Sequence, residues 1–191
     1  MIVTNVTIFG TGNMGTAIAS VLAAGGASVE HIGSDGGTVN GDVVILAVPY
    51  SALESIVTSH GEQLAGKVVV DITNPLDFST FDSLIVPDGS SATAELAVAL
   101  PGSHVVKAFN TNFAATLGSK KVGNLDTTVL IAGDDARAKQ ALAALVTAGG
   151  VQAIDAGSLN RAHELEAIGF LQLTLAAGEK TSWTGGFGIV R

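Results

Sequence analysis

The stretch Phe9-Gly10-Thr11-Gly12-Asn13-Met14-Gly15 decides the fold of this chain. It follows an apolar run over residues 2–9 with the pattern of a β-strand, and it opens a helix-like run over 14–24. Between a strand and a helix, the first glycine makes a tight turn, the second lets the backbone approach a phosphate group, and the third lets helix and strand pack closely. The free N–H groups and the positive dipole end of the helix attract an anion. Residues 10–15 therefore predict a loop that holds the pyrophosphate of a dinucleotide, and the alternative is a glycine-rich turn without a ligand.

Composition favours a soluble α/β protein. Of the 191 residues, 47% are hydrophobic but only 5% are aromatic, as in helices packed on a buried parallel sheet. No run reaches the roughly 18 apolar residues that a membrane-spanning helix needs. The formal charge of −8 argues against a nucleic-acid surface, and the absence of cysteine excludes disulfides and thiolate chemistry. No basic segment precedes an apolar run at the N-terminus, so we expect a cytoplasmic protein that binds neither membrane nor nucleic acid.

Strand-like and helix-like segments alternate along the chain. The predicted strands span residues 2–9, 27–32, 42–48, 68–72, 104–109, 127–132 and 151–155, and the predicted helices span 14–24, 51–64, 91–100, 112–117, 134–148 and 159–177. The connection over 33–41 is too short and too glycine-rich to hold a helix. We therefore predict a single dinucleotide-binding domain over 1–191: a Rossmann-type doubly wound, mostly parallel α/β sheet over 1–156, and a small helical C-terminal extension over 157–191 that closes the active site.

In an open parallel sheet, ligands collect at the carboxyl ends of the strands, and three loops follow such ends here. The first would pass the cofactor ribose, the second can address the nicotinamide ribose, and the third lies where the nicotinamide ring should be. The expected cofactor contacts in these loops are Ala47, Val48, Pro49, Tyr50, Asn74, Pro75, Ala108 and Asn110. The alternative for each loop is local turn chemistry, because Pro and Asn also stop strands by themselves.

The end of the second strand bears on which nucleotide the loop prefers. NAD-binding sites usually carry Asp or Glu there, whereas this strand ends in His31-Ile32-Gly33-Ser34. Thr11 and Ser34 can donate hydrogen bonds to a 2′-phosphate, which favours NADP. Asp35 opposes this, because it would repel that phosphate or act as the NAD-type acid. We therefore expect NADP as the cofactor, with NAD as the alternative.

The sequence contains no acid–base constellation and no metal-ligand spacing, so we predict no catalytic side chain and no metal site. His163, Glu164 and Glu166 fall on the last predicted helix, where we expect a solvated face. Lys107 is either a catalytic lysine or a strand residue that points away from the loop after it. This pattern fits a hydride that passes directly between two cofactor rings, since the protein then supplies orientation rather than proton chemistry.

Four segments of the chain resemble the coenzyme F420-dependent NADP oxidoreductases: residues 7–15, 42–49, 69–76 and 106–111. The last segment also resembles the cytosolic domain of six-transmembrane ferric reductases. The long helix near the C-terminus and the tail around Phe187-Gly188-Ile189 are similar to the F420 oxidoreductases as well. The resemblance implies a Rossmann domain with NADP as cofactor, a small C-terminal part that closes over the hydride site and, often, a homodimer.

One departure from the family pattern concerns the nucleotide. Relatives that bind NADP typically follow the glycine and serine of the second strand with basic residues. Here Gly33-Ser34 is followed by Asp35 and Gly36, so Thr11 and Ser34 match the family but the basic contacts do not.

Two functional hypotheses follow. In the first, an NADP(H)-dependent oxidoreductase transfers a hydride between nicotinamide and a second planar acceptor, which is F420, a flavin or another small molecule. That acceptor would bind against the C-terminal helix and the tail over 183–188. In the second hypothesis, the same fold is a non-catalytic module that binds NAD(P)H and senses its redox state.

Overall fold

A computed structural model describes residues 4–190 of the chain. The strands are β1 (Asn5–Phe9), β2 (Ser28–Ile32), β3 (Val43–Leu46), β4 (Val68–Asp71), β5 (His104–Lys107), β6 (Lys121–Val122), β7 (Leu125–Asp126), β8 (Thr128–Gly133) and β9 (Gln152–Gly157). The helices are α1 (Asn13–Ala24), α2 (Leu53–Leu64), α3 (Ala92–Ala99), α4 (Ala114–Ser119), α5 (Ala136–Ala148) and α6 (Ala162–Ala177). Every strand and helix that the sequence predicts is present, with its bounds shifted by at most a few residues.

Seven strands form one sheet in the order β2-β1-β3-β4-β5-β8-β9. All neighbouring pairs are parallel except β5 and β8, which pair antiparallel. The chain runs from β1 to β2 at the sheet edge and returns to the other side of β1 as β3, so the winding direction reverses between β1 and β3. This confirms the predicted Rossmann-type, doubly wound sheet, in which ligands bind at the carboxyl ends of the strands beside such a reversal.

The sheet is buried on both faces because its central strands direct apolar side chains to two layers of helices. In β3, Val43 and Ile45 join the apolar cluster that contains buried residues of α1 and α5. Val44 and Leu46 join the cluster on the opposite face, which contains buried residues of α2 and α3. The unbroken apolar run of this strand, which alternation alone would not explain, thus follows from burial on both sides.

The connection from β2 to β3 contains no helix within the described chain, as the sequence predicted. Gly41, just before β3, lets the chain pass close to β1, because a Cβ atom there would lie 2.4 Å from the amide nitrogen of Thr7. The missing helix leaves the carboxyl end of β2 uncovered on that side.

Two local features differ from the prediction. The helix predicted over 112–117 begins later, at Ala114, because the Asn112 side chain donates to the carbonyl oxygen of Thr128 and holds the preceding loop in place. A small hairpin of β6 and β7 was not predicted, since strands of two residues carry no periodicity. Residues 2 and 3 of the first predicted strand lie outside the described residues.

A buried ion cluster joins the sheet to the last helix. Lys107 on β5 donates to Asp71 Oδ2 on β4 at 2.9 Å and to Glu166 Oε1 on α6 at 2.8 Å. Its ammonium also donates to the carbonyl oxygen of Thr73, so each of its three protons has an acceptor. All three charged side chains are fully buried. Lys107 therefore points into the protein interior, away from the loop that follows β5.

Glu166 corrects the expectation of a solvated face on the last helix. Its carboxylate accepts a hydrogen bond from the backbone N–H of Ala92 at 3.0 Å, at the start of α3. Burial raises the pKa of Glu166, and attraction to the Lys107 ammonium opposes that shift. The partners of Glu166 lie 59 and 74 residues away along the chain, so local periodicity carried no signal for them.

Two other residues expected on that solvated face, His163 and Glu164, lie in different surroundings. His163 is half-buried, and its ring nitrogen Nδ1 hydrogen-bonds the carbonyl oxygen of Ser90 at 2.9 Å. Glu164 is about half exposed and pairs with Arg161 at 2.8 Å. Of the three residues, only Glu164 lies on the solvated face that the sequence predicted.

We expect Lys107→Met to lower the free energy of unfolding by about 3–5 kcal/mol, because it leaves two buried carboxylates without a counter-ion. Lys121→Met is the matched control, since the Lys121–Asp126 pair is about half exposed and its loss should cost about 1 kcal/mol or less. Urea unfolding followed by circular dichroism measures both variants. Equal stability of the two would show that the cluster does not hold α6 to the sheet.

Candidate functional site

Two glycines of the loop after β1 are required by backbone contacts. Gly10 has a φ angle of +103°, and a Cβ atom there would lie 2.2 Å from the carbonyl oxygen of Ala47. A Cβ atom on Gly15 would lie 2.6 Å from the carbonyl oxygen of Gly10. Any side chain at either position would push β1, β3 and α1 apart. The same contacts place Ala47 against the loop, at the reversal point of the sheet.

The space beside Gly12 is open, whereas other atoms fill the space beside Gly10 and Gly15. No atom lies within 4 Å of the place where its Cβ atom would be. Gly12 is also the N-cap of α1, and within the described residues no side chain caps this helix and no acidic residue stands in its first turn. The N–H groups of that turn have no partner inside the helix and lie at its positive dipole end. The N-terminus of α1 can therefore receive an anion next to Gly12.

Two cavities flank the loop. The first, which we call the β2 cavity, has a volume of about 410 Å³ and is lined by Gly10 and Thr11 together with the ends of β2 and β3. The second, the α6 cavity, has a volume of about 430 Å³ and reaches from the first turn of α1, at Asn13 and Met14, to α6. A pyrophosphate on the loop would thus send one nucleotide into each cavity.

The β2 cavity is polar at one end and contains no basic side chain among its lining residues other than a histidine. Ser34 lines it, and its hydroxyl donates to Asp35 Oδ1 at 3.2 Å. His60 of α2 lines it as well, with its ring packed edge-on against Phe9 at 5.0 Å between centroids. His31 hydrogen-bonds the carbonyl oxygen of the first loop glycine at 2.8 Å through Nδ1. Asp35 therefore competes for the hydroxyl group that a 2′-phosphate would use.

A pair of amides forms one wall of the α6 cavity. Asn74 Nδ2 donates to the carbonyl oxygen of Asn110 at 2.9 Å, and Asn110 Nδ2 donates to Asn74 Oδ1 at 2.9 Å and to the carbonyl oxygen of Leu165 at 2.8 Å. On α6, a Cβ atom at Gly169 would lie 2.3 Å from Asn74 Oδ1. The helix backbone thus approaches the amide pair so closely that only glycine fits between them.

A strained backbone turn at Phe109 orients the amide pair that forms this wall. Phe109 is fully buried and has a φ angle of +64°, a conformation that costs a residue with a side chain about 1–2 kcal/mol. The turn that it makes directs Asn110 toward Asn74 and α6 instead of continuing β5. Strain of this kind persists where the surrounding structure fixes it, and it is frequent at functional sites.

The chain after α6 returns over the α6 cavity. Gln172 fixes this tail: its Nε2 donates to the carbonyl oxygen of Thr111 at 3.1 Å, and its Oε1 accepts from the backbone N–H of Phe187 at 3.0 Å. Trp183 on the tail packs against Phe113 with 5.0 Å between ring centroids, and both line the cavity. The tail thereby supplies an aromatic wall to the cavity.

Most of the residues expected from the sequence lie along this groove. Those that line one of the two cavities are Gly10, Thr11, Asn13, Met14, Ser34, Val48, Pro49, Asn74 and Asn110. Gly12 lies between the cavities, and Gly15 and Ala47 pack directly beneath the loop. Pro75 and Ala108 are buried and line neither cavity, so the structure places them behind the wall that their neighbours form.

Tyr50, which the sequence predicts as a cofactor contact, lines neither of the two cavities. Its hydroxyl group donates to Glu95 Oε2 on α3 at 2.6 Å, and this hydrogen bond raises the pKa of Tyr50 to about 12. Its ring lines a separate cavity of about 200 Å³ between α2 and α3.

Sequence reasoning missed three parts of the groove. Asn112 and Phe113 line the α6 cavity, although the sequence predicts them within a helix; in the structure that helix begins after both, at Ala114. Leu173 of α6 and His60 of α2 line the two cavities from helices that carried no motif. The only available signal was the repetition of asparagine and aromatic residues over 109–113, which is too short to stand out.

The described residues contain no group of three or more His, Cys, Asp or Glu side chains that could hold a metal ion. Over residues 4–190, none of the helices has both the length and the apolar character needed to cross a membrane.

Comparison with known proteins places this site in a family. Residues 32–75 match the family model described as NADP oxidoreductase, coenzyme F420-dependent. The F420-dependent NADP reductase of Methanocaldococcus jannaschii is 38% identical over 151 residues, which cover 76% of this chain and 66% of the relative. The metalloreductase STEAP3 of Rattus norvegicus is 37% identical over 131 residues, which cover 66% of this chain and 25% of that protein. The chain spans about two thirds or less of the length of these curated relatives.

Solved structures agree over a larger share of the chain. The crystal structure of a putative F420-dependent NADP reductase from Arthrobacter sp. FB24 has a TM-score of 0.86 and 25% identity, and the match covers 98% of this chain and 100% of that one. A hypothetical protein from Sinorhizobium meliloti has a TM-score of 0.70 and 29% identity, over 83% of this chain and 86% of that one.

These matches confirm the resemblance seen in the sequence, and the chain belongs to the family of the coenzyme F420-dependent NADP oxidoreductases.

Proposed function

We propose that this protein is an NADP(H)-dependent oxidoreductase that transfers a hydride between nicotinamide and a second planar acceptor, F420 or a flavin. One observation carries the proposal: Gly12, with open space beside it, stands at the N-terminus of a helix that no side chain caps, and a cavity of ligand size lies on each side of the loop. A dinucleotide has an anionic centre with one ring system on each side. The shape and the polarity of the groove fit that molecule.

Different residues of the groove would bind different parts of the cofactor. The first-turn N–H groups of α1 would bind the pyrophosphate, and Thr11 and Ser34 would bind the adenosine side in the β2 cavity. The amides of Asn74 and Asn110 would orient the nicotinamide side in the α6 cavity. When bound, NADPH supplies the hydride. Phe113 and Trp183, whose rings are tilted by 53° to one another, would provide an apolar wall beside an acceptor ring and would keep water from the reacting face.

The lining of the α6 cavity supports direct hydride transfer. The side chains that line it are aliphatic, aromatic or amide, and none of them is an acid, a base or a histidine. Hydride transfer between two cofactor rings asks the protein for orientation and exclusion of water, whereas reduction of a carbonyl or an imine would also need a proton donor. The comparisons support the same reaction, because relatives of this chain are named F420-dependent NADP reductases.

An acceptor panel tests this proposal. We expect the protein to oxidise NADPH in the presence of F420 or riboflavin, and the loss of NADPH absorbance measures this oxidation. Menadione is the third acceptor of the panel. Gly12→Val is the matched control variant: its side chain enters open space, so the fold should persist, but it occupies the place of the pyrophosphate. We expect it to lower kcat/KM for NADPH about 100-fold, as a displacement near 1 Å can do.

The panel also separates the two functional hypotheses. Tight binding of NADPH without oxidation by any acceptor would contradict the enzyme and favour the redox-sensing module. Full activity of Gly12→Val would show that the glycine loop is not the cofactor site.

The preference for NADP over NAD depends on three residues at the β2 cavity, Thr11, Ser34 and Asp35. We expect wild-type protein to bind NADPH more tightly than NADH, measured by fluorescence titration. Asp35→Arg should strengthen NADPH binding about tenfold, because it frees the Ser34 hydroxyl and adds a cation. Asp88→Arg, the same change of charge at an exposed position outside the cavity lining, should have little effect.

The opposite order of affinities in wild type, reversed by Asp35→Arg, would contradict the NADP preference and assign Asp35 to the ribose of NAD.

We also propose that the protein is a homodimer, as the family resemblance implies. Ile168 and Leu171 lie one turn apart on α6 and remain exposed, with 51% of Leu171 accessible, so they form an apolar face that a second copy can cover. Light scattering after size exclusion should give a dimer for wild type and for Val98→Glu on α3, and a monomer for Leu171→Glu. A dimeric Leu171→Glu protein would place the interface elsewhere. The cytoplasmic location expected from the sequence stays a prediction.

A further inference from the structure

The buried ion cluster of Lys107, Asp71 and Glu166 contains more negative than positive charge. It consists of one ammonium group and two carboxylate groups, and all three side chains are fully buried. The Lys107 ammonium bridges the two carboxylates, so its charge balances only one of them. The cluster therefore leaves one negative charge uncompensated in the protein interior.

The hydrogen bonds of Glu166 show how the structure stabilises its carboxylate. The Oε2 atom accepts from the backbone N–H of Ala92 at 3.0 Å, and the Oε1 atom accepts from Lys107 at 2.8 Å and from the backbone N–H of Thr93 at 3.4 Å. Both N–H groups belong to the first turn of α3, where the helix dipole attracts an anion. Because ammonium and backbone N–H groups can only donate, these contacts favour the ionised form of Glu166.

The cluster lies directly behind one wall of the α6 cavity. Ile72 and Asn74 line this cavity, and the carbonyl oxygen of Thr73 between them accepts from the Lys107 ammonium. Among the described residues that line the cavity, none has a charged side chain. Buried charges are screened much less than exposed ones, so the field of the cluster reaches across this wall into the cavity.

The two redox forms of a nicotinamide ring respond to such a field differently. The ring of NADPH is neutral, whereas the ring of NADP+ is positively charged, because a hydride with its two electrons has left it. A nearby negative charge attracts only the oxidised ring. A cavity beside an uncompensated carboxylate therefore favours NADP+ over NADPH.

We propose that Glu166 tunes the bound cofactor: its charge strengthens the binding of NADP+ relative to NADPH and so promotes transfer of the hydride to an acceptor. This inference rests on the proposed function, which places the nicotinamide ring in the α6 cavity. Preferential binding of the oxidised form lowers the reduction potential of the bound cofactor, which makes NADPH a stronger hydride donor in the site. Glu166 acts through its field and lines no part of the cavity, so it is not a catalytic residue.

The test compares the affinities of wild type and Glu166→Gln for the two redox forms. The substitution removes the charge and nearly preserves the size of the side chain. Isothermal titration calorimetry gives the Kd of NADP+ and of NADPH, at pH 8 because burial raises the pKa of Glu166. We expect the ratio of the Kd of NADP+ to that of NADPH to rise about tenfold, the scale of one unit charge at about 10 Å with an effective dielectric constant of about 20.

Two further variants locate the effect in the cluster. Glu164→Gln removes the same charge from the same helix, but Glu164 is about half exposed and pairs with Arg161, so the ratio should stay at the wild-type value. Asp71→Asn removes one negative charge from the cluster on β4 and should raise the ratio as Glu166→Gln does. It replaces Glu166→Gln in the test if that variant does not fold.

The ratio distinguishes an electrostatic effect from structural damage, because a displaced α6 would weaken the binding of both redox forms alike. A wild-type ratio in Glu166→Gln and Asp71→Asn would overturn the inference and leave the proposed function standing. An equal rise of the ratio in Glu164→Gln would overturn it as well, since the total charge of the protein would then set the ratio. If wild type binds neither NADP+ nor NADPH, the proposed function fails, and this inference fails with it.

Discussion

The close approach of three backbone segments at the glycine loop is the constraint on which the rest of this structure depends. The carbonyl oxygen of Ala47 occupies the space beside Gly10, and the carbonyl oxygen of Gly10 occupies the space beside Gly15. These contacts bring the ends of β1 and β3 and the start of α1 together, where the winding of the sheet reverses. The proposed anion site follows directly, because the uncapped N-terminus of α1 then opens into the crevice that the reversal creates. A chain with a net charge of −8 can thus hold a pyrophosphate without a basic side chain in the loop.

The last helix is attached to this core by polar contacts. Lys107 binds carboxylates from β4 and α6, and Gly169 lets the backbone of α6 approach Asn74. An apolar contact of the same area would tolerate sliding of the helix, whereas a buried charge has a low free energy only when its partners are in place. Since Asn74 and Asn110 form the wall that faces the groove, the position of α6 and the geometry of the site are fixed by the same contacts.

The sequence was sufficient for the parts of the fold that depend on neighbouring residues. The glycine loop, the order of strands and helices and the missing helix between β2 and β3 follow from spacing and turn chemistry within a few residues. The buried role of Glu166 did not follow, because its partner Lys107 lies 59 residues away and both residue types are usually solvated. The place of Asn112 in the groove did not follow either, because the helix starts only at Ala114 and that start depends on the hydrogen bond from Asn112 to Thr128, a contact between two segments of the chain. Tyr50 stood at the right strand end, but Glu95 on α3 draws its hydroxyl group away from the groove.

Recognition in the groove separates what all dinucleotides share from what distinguishes one ligand from another. A pyrophosphate on the loop would meet backbone N–H groups, which no substitution other than proline removes, so this part of the site should tolerate sequence change everywhere except at the glycines. The groups that distinguish one ligand from another would meet side chains at the two far ends: Ser34 and Asp35 at the β2 cavity, and Asn74 and Asn110 at the α6 cavity. At the first end the Ser34 hydroxyl group is already engaged by a neighbouring acid, and at the second the amides of Asn74 and Asn110 bind each other. The two cavities share no lining residue, and different residues of the loop line each of them, so cofactor choice and acceptor choice can change independently.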